Sequence, residues 1–434
     1  MDKRGDSDLK LPLRGLLKLG VLSLLVGGVV GAVCAGFRLA LLAGDALRER
    51  FIGWAQGLGV SGMMLVAVSC AAAVALAAWL VRRFSPHASG SGIPHVEAVL
   101  RGDLPQAPYR LIPVKFVGGV MAIGAGLALG REGPSVQIGA TIAHLIGRVF
   151  RCDAADCLVL LAGGAGAGLA TAFNAPIAGA VFVLEELVRR FDTRITIVTF
   201  GTSAGAIAVS RVFLGDRPDF DVAAVGYSRM GGVLLYLLLG VLLGVVGVAY
   251  NRAILGAICV AKQLRAWPVE LRAALIGASL GLLAFVHPEV VGGGDLLTQR
   301  TLAGSAAVGG VAVVFACRFV LGPVSYAART PGGLFAPMLV LGAQGGVLFG
   351  LSCNHIAGEL ALDPRAAPIV GMAAFFTAVV RSPLTGIVLA IELTGSSTLL
   401  LPMLAACFTA MLVPTFIGDA PIYEALREGA DGDC

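Results

Sequence analysis

The chain has 434 residues, of which 57% are hydrophobic and 14% charged, with a mean hydropathy of +0.88. A soluble domain carries about 25% charged residues, so a water-soluble globule is excluded. The net charge of +5 is too small and too dispersed to make a nucleic-acid footprint.

The first apolar run, Leu17–Gly44, is too long for a signal peptide, and many more follow, Gly231–Tyr250 among them. Runs of roughly 18 or more apolar residues read as spanning helices. The expected fold class is therefore an all-α polytopic membrane protein. Lys3, Arg4, Lys10, Arg14 and Lys18 crowd the N-terminus, and Arg82, Arg83, Arg101 and Arg110 follow two predicted spans. Between those spans Asp45 and Glu49 offset Arg48 and Arg50. The positive-inside rule then places segment 1–14 and the 82–110 loop in the cytoplasm.

Three Gly/Pro-rich blocks interrupt the apolar sequence. "PHASGSGIP" ends at Pro94 and runs into the helical "HVEAVL"; "GREGPSVQIGA" starts at Gly130; "TPGGLFAPMLVLGA" starts at Thr330. Each reads as a helix that starts abruptly at membrane depth, with Pro134 suited to a first turn. A helix start leaves several N–H groups unpaired, and irregular backbone at that depth must be buried in protein or meet a watery cavity. An anion is the natural partner, because helix N-termini offer N–H groups and a positive dipole end. Partial charges alone would hold the ion and still release it, as conduction requires. Glu132, an ionisable group at such a start, is a functional residue by default. Its carboxylate would compete with a mobile anion, and protonation would release the site. Arg131 is expected to face a polar mouth or a partner instead of the ion.

The blocks recur. "GSGIPHVEAVLRG" (Gly90) parallels "GGGDLLTQRTLAG" (Gly292), Pro134 parallels Pro337, and "NAPIAGAVFVLEEL" parallels "RSPLTGIVLAIELT", with offsets of 202, 203 and 207 residues. Such order argues for duplication, with halves 15–215 and 228–430 joined by a polar linker, 216–227. Secondary transporters are commonly built this way, with sites at broken helices near the midplane.

The nine cysteines sit at irregular spacing, mostly in apolar runs, and read as small buried hydrophobes, with only Cys152/Cys157 loosely paired. The five histidines are dispersed and carry no assigned chemistry, so no metal site is expected.

GSGIP (Gly90–Pro94), GREGP (Gly130–Pro134) and GGLFAP (Gly332–Pro337), with "FNAPIAGAVFVLEEL" and "PIYEAL" around Tyr423, resemble the motifs of the CLC chloride channel and transporter family, in particular its bacterial proton/chloride exchangers. The resemblance runs from about residue 15 to 430. It implies a homodimer with one pore per subunit and two inverted halves. It also implies that Ser91, Tyr423 and the backbone N–H groups of Leu334 and Phe335 bind chloride, and that Glu132 is the external gating and proton glutamate. Of the pair Glu185–Glu186, the match places the internal proton-transfer glutamate at Glu186, with Arg189, Arg190 and Arg194 following at a cytoplasmic end. Channels usually lack that second glutamate, so a proton-coupled chloride antiporter is expected, the alternative being a passive voltage- or pH-gated chloride channel on the same fold. Ser at 91 favours chloride; nitrate-preferring relatives have Pro there. Regulatory domains that many relatives carry after the last helix are not expected in this chain, which stops soon after Tyr423. That fits the inner membrane, with both termini cytoplasmic. Chloride and protons are the expected substrates; no cofactor and no enzymatic activity are expected. A serine hydrolase using Ser89 or Ser91 fails because the stretch Ala88–Gly92 lacks the first glycine of a nucleophile elbow. A cation or organic-solute transporter would need acidic residues lining the site.

Overall fold

The computed structural model describes residues 13–222, 232–264, 266–304, 308–357 and 363–429. Most of segment 1–14, including Lys3, Arg4 and Lys10, and the second part of the 216–227 linker lie outside the described residues, as does Ala430 with the tail beyond it. Helices α1 (Leu13–Gln56), α2 (Val60–Phe84), α3 (Ile93–Arg101), α4 (Leu111–Gly124), α5 (Glu132–Val149), α6 (Ala154–Phe173), α7 (Pro176–Phe182) and α8 (Thr193–Leu214) form the first half. The same order returns as α9 (Val233–Gln263), α10 (Val269–Val286), α11 (Asp295–Leu302), α12 (Val308–Ala327), α13 (Phe335–Ala357), α14 (Ala366–Val380), α15 (Pro383–Thr394) and α16 (Leu400–Ile417). A short α17 (Ile422–Glu428) is the last of the described helices. Nine of the described helices are long and apolar enough to cross a bilayer, so this is a multi-pass membrane protein.

Details repeat along with the order. A 3₁₀ turn precedes α3 at Pro86–Ala88 and α11 at Pro288–Val290. Lys115 on α4 donates to the carbonyls of Ala88 and Gly90; Arg318 on α12 donates to those of Val290 and Gly292. Both cations are buried, and each ties down the loop that opens the short helix of its own half.

Other contacts cross between the halves and fix their relation. Glu185, in a π-helical turn that continues α7 (Val183–Leu187), accepts from the N–H groups of Leu384 and Thr385 at the start of α15. Glu392, near the end of α15, accepts from those of Ile177 and Ala178 at the start of α7. Each helix tail caps the other's head, so α7 and α15 run antiparallel. Each carboxylate replaces the missing intrahelical acceptors and sits at the favourable end of a dipole. A two-fold axis perpendicular to the pair relates the halves, and the second is inverted relative to the first.

Close helix crossings rest on glycine. A Cβ on Gly164 of α6 would collide with the Gly139 carbonyl of α5, and one on Gly371 of α14 with the Gly342 carbonyl of α13. Small residues let backbones meet in lipid, where no hydrophobic drive separates helix from solvent. With these crossings α6 and α14 sit at the centre, and every residue of α14 is buried. The largest apolar cluster joins both halves, from Val136 and Phe182 to Phe335, Phe376 and Tyr423. Gly164→Val is expected to force α5 from α6 and cost about 1–3 kcal/mol, read as a lower melting midpoint in detergent. Gly256→Val, where an added Cβ meets nothing within 4 Å, is expected to leave the midpoint in place.

Candidate functional site

Three loops meet where the halves touch. Gly90 N–H donates to the Thr330 carbonyl at 3.0 Å, and Gly332 N–H returns to the Gly90 carbonyl at 3.1 Å. Gly130 and Gly333 exchange both backbone bonds, at 2.9 and 2.7 Å, as an isolated antiparallel bridge. This lattice stitches GSGIP, GREGP and GGLFAP together and aims the starts of α3, α5 and α13 at one spot. Gly92, at φ 85°, caps α3 in a left-handed conformation where a Cβ would strike Gln137.

The Glu132 carboxylate occupies that spot. Its Oε1 accepts from Phe335 N–H at 2.7 Å, at the head of α13. A Cβ on either Gly130 or Gly333 would overlap the same carboxylate, so both glycines are spaces shaped for it. Among the described residues its Oε2 has no hydrogen-bond partner, nor do Ser91 Oγ and Tyr423 OH. All three residues are 0% exposed. A buried polar atom left unpaired costs about 1–3 kcal/mol, and hydroxyls left so beside exposed amides mark a place for a guest acceptor. The Ser91 and Tyr423 hydroxyls stand close to each other without a hydrogen bond between them, and the charges of Glu132 and Glu186 both reach Tyr423.

The structure thus brings Ser91, Glu132, Phe335 and Tyr423 together. Leu334, also buried, precedes Phe335 and accepts from Met338 N–H at 3.1 Å. Glu186 stands apart, in the π turn after α7; one of its oxygens accepts from Ser382 Oγ at 2.7 Å and the other has no hydrogen bond among the described residues. π turns recur at functional sites. Arg131 turns away from the anion spot: its guanidinium meets Asp219, Asp295 and the Ala172 carbonyl.

Several neighbours escaped the sequence reading. Tyr326 OH accepts from Ser91 N–H at 3.3 Å, so one amide of GSGIP is already engaged. Phe335 is walled by Phe182, Phe376 and Tyr423, with ring centroids 5.5, 4.6 and 6.1 Å away. Lys115 holds the GSGIP loop from behind, its Nζ spent on the carbonyls of Ala88 and Gly90. The signal for Lys115 was a lone cation in an otherwise apolar stretch, Leu111–Gly124; Tyr326 and the phenylalanines gave none.

Two openings approach this core. A cavity of about 1070 Å³ reaches Gly90 and Tyr326; its lining sets Lys262, Arg272, Arg329 and Arg427 against Asp103 and Glu428, a cationic balance that favours anions. His95 lines it too. A separate cleft of about 360 Å³ is lined by Glu185, Glu186, Arg189 and Arg381.

A family model described as voltage gated chloride channel matches residues 72–415. The chain belongs to that family. This voltage gated chloride channel family member is 37% identical over 432 residues to the H(+)/Cl(-) exchange transporter ClcA of Yersinia pestis bv. Antiqua, covering 94% of this chain and 88% of the relative. It is 35% identical over 435 residues to the protein of the same name from Salmonella arizonae, covering 96% and 89%. Among solved structures, a slow cyanobacterial Cl⁻/H⁺ antiporter superposes with a TM-score of 0.91 at 30% identity, over 97% of this chain and 99% of that one. Tyr423→Phe removes one orphaned donor; halide binding by calorimetry is expected to weaken about tenfold, the size of one hydrogen bond to a charge. Unchanged affinity would place the halide elsewhere.

Proposed function

We propose that the protein is a proton-coupled chloride antiporter, exchanging chloride against protons across the inner membrane. The observation that carries this reading is the Glu132 carboxylate seated on the Phe335 amide, beside two unpaired hydroxyls. Chloride ascends from the cationic cavity to the spot between Ser91, Tyr423 and the amides of Leu334 and Phe335. There it competes with ionised Glu132 for the same donors. Displaced outward, Glu132 takes a proton from the external side, which neutralises it and lets it leave the site. On return it releases the proton toward Glu186, at the head of the second cleft. Chloride and protons therefore move in opposite directions, each blocking the shortcut of the other. The two gradients supply the work, so no metal, nucleotide or organic cofactor takes part and no substrate is chemically transformed.

The relatives' names support exchange, and an acidic group at both ends of the route supports it over a passive pore. We further propose a homodimer with one pathway per subunit and both termini in the cytoplasm. The contiguous helices α8, α7, α15 and α16 offer a face for the second copy, with Phe200, Ile177, Leu384 and Leu401 exposed on it.

Chloride and proton fluxes followed together in proteoliposomes test the reading. Glu132→Gln is expected to abolish proton movement and leave chloride flux; proton transport that persists in it contradicts the gate. Glu186→Gln is expected to remove proton movement as well. A wild-type reversal potential that ignores a pH gradient would move the protein to the channel reading.

A further inference from the structure

Ser382 stands at the N-cap of α15, a position where a serine ordinarily turns its hydroxyl to the amides of its own helix. It makes no such bond. Those amides, at Leu384 and Thr385, are held by Glu185 at 3.0 and 2.7 Å, and Glu185 takes the Thr385 hydroxyl at 2.7 Å as well. Ser382 is thereby free to reach across to Glu186, and its Oγ donates to Oε2 at 2.7 Å, with both residues buried. Two adjacent carboxylates thus grip one helix end for different ends: Glu185 caps it, and Glu186 is held by it.

We infer that Ser382 is a positioning residue for Glu186, fixing its carboxyl group at the head of the 360 Å³ cleft through the whole proton cycle. The inference rests on the reading of Glu186 as the internal proton-transfer group. A hydroxyl donates to a carboxylate oxygen and also to the carbonyl oxygen of a carboxylic acid. The contact therefore survives protonation of the other oxygen, with Oε2 still the acceptor. Oε1 has no hydrogen bond and faces Arg189 at 3.7 Å, so it is the oxygen left to gain and lose the proton. The charged groups around the pair are Glu185 and Arg189 on its own segment, Glu97 on α3, Arg381 ahead of α15, and Glu424 and Arg427 on α17. Arg189 bridges Glu186, Glu97 and Glu424, and Arg427 holds Glu97 at 2.7 Å. These charges set a background that replacing Ser382 does not alter. The hydroxyl supplies the one hydrogen bond described on the carboxylate, and it favours the ionised form most; removing it strengthens proton binding.

The experiment is the pH dependence of proton flux in proteoliposomes for wild type, Ser382→Ala, Ser382→Thr and Glu186→Gln. Chloride flux is measured beside it in a Glu132→Gln background with and without Ser382→Ala. Ser382→Ala is expected to move the half-point of proton flux to higher pH by about one unit, and Ser382→Thr, which keeps the hydroxyl, to restore it. The uncoupled chloride flux is expected to stay within about twofold, because one hydrogen bond to a group off the anion route is all that is lost. A Ser382→Ala profile that overlays wild type, while Glu186→Gln still stops proton flux, overturns the positioning role alone. An equal loss of chloride flux overturns it too, since it would make Ser382 a general packing residue. Proton flux that survives Glu186→Gln overturns the reading of Glu186 beneath it.

Discussion

Backbone amides at the heads of interrupted helices, brought to face one another with no side-chain cation among them, are what the rest of the molecule is arranged around. In a bilayer such groups must be paired, because lipid offers no hydrogen bonds. Here the Phe335 amide is paired by a carboxylate on the facing helix, 203 residues away in sequence. A bond of that kind, charged on one side and neutral on the other, is worth about 1.5–3 kcal/mol. That is strong enough to close the spot and weak enough for a competing anion to open it. A lysine or arginine at the same place would trap either occupant.

Bringing the helix heads together requires the inverted duplication, and the duplication explains features that look arbitrary in one half alone. Glu185 and Glu392 cap each other's helices; Gly139–Gly164 and Gly342–Gly371 bring their helix pairs into backbone contact. Function departs from this symmetry at a few positions. Glu132 has Phe335 as its counterpart, so one helix head carries the carboxylate and the other the amide that receives it. Ser91 has Gly293 as its counterpart, so the serine hydroxyl has no equivalent in the second half. A symmetric scaffold with an asymmetric centre gives the two faces of the membrane different chemistry.

Much of the fold and the centre of the site were legible in the sequence. Long apolar runs gave the spans, and glycine and proline at membrane depth gave the broken helices. Glu132 stood out as a carboxylate where lipid forbids an idle one. The limit was tertiary contact. Glu185 and Glu186 are chemically identical neighbours that the resemblance alone told apart; the α15 amides make Glu185 the cap, and Ser382 holds Glu186. Ser382 and Tyr326 act on residues 196 and 235 positions away, with no spacing to betray them. The wall of Phe182 and Phe376 around Phe335 is built of residues that read as ordinary core.

The most direct measurement of the central claim is anomalous scattering from bromide in crystals of the Glu132→Ala protein. With the carboxylate gone, a bromide peak is expected within contact of Ser91 Oγ, Tyr423 OH and the Phe335 amide. Density that leaves this spot empty while bromide binds elsewhere in the same crystals would contradict it.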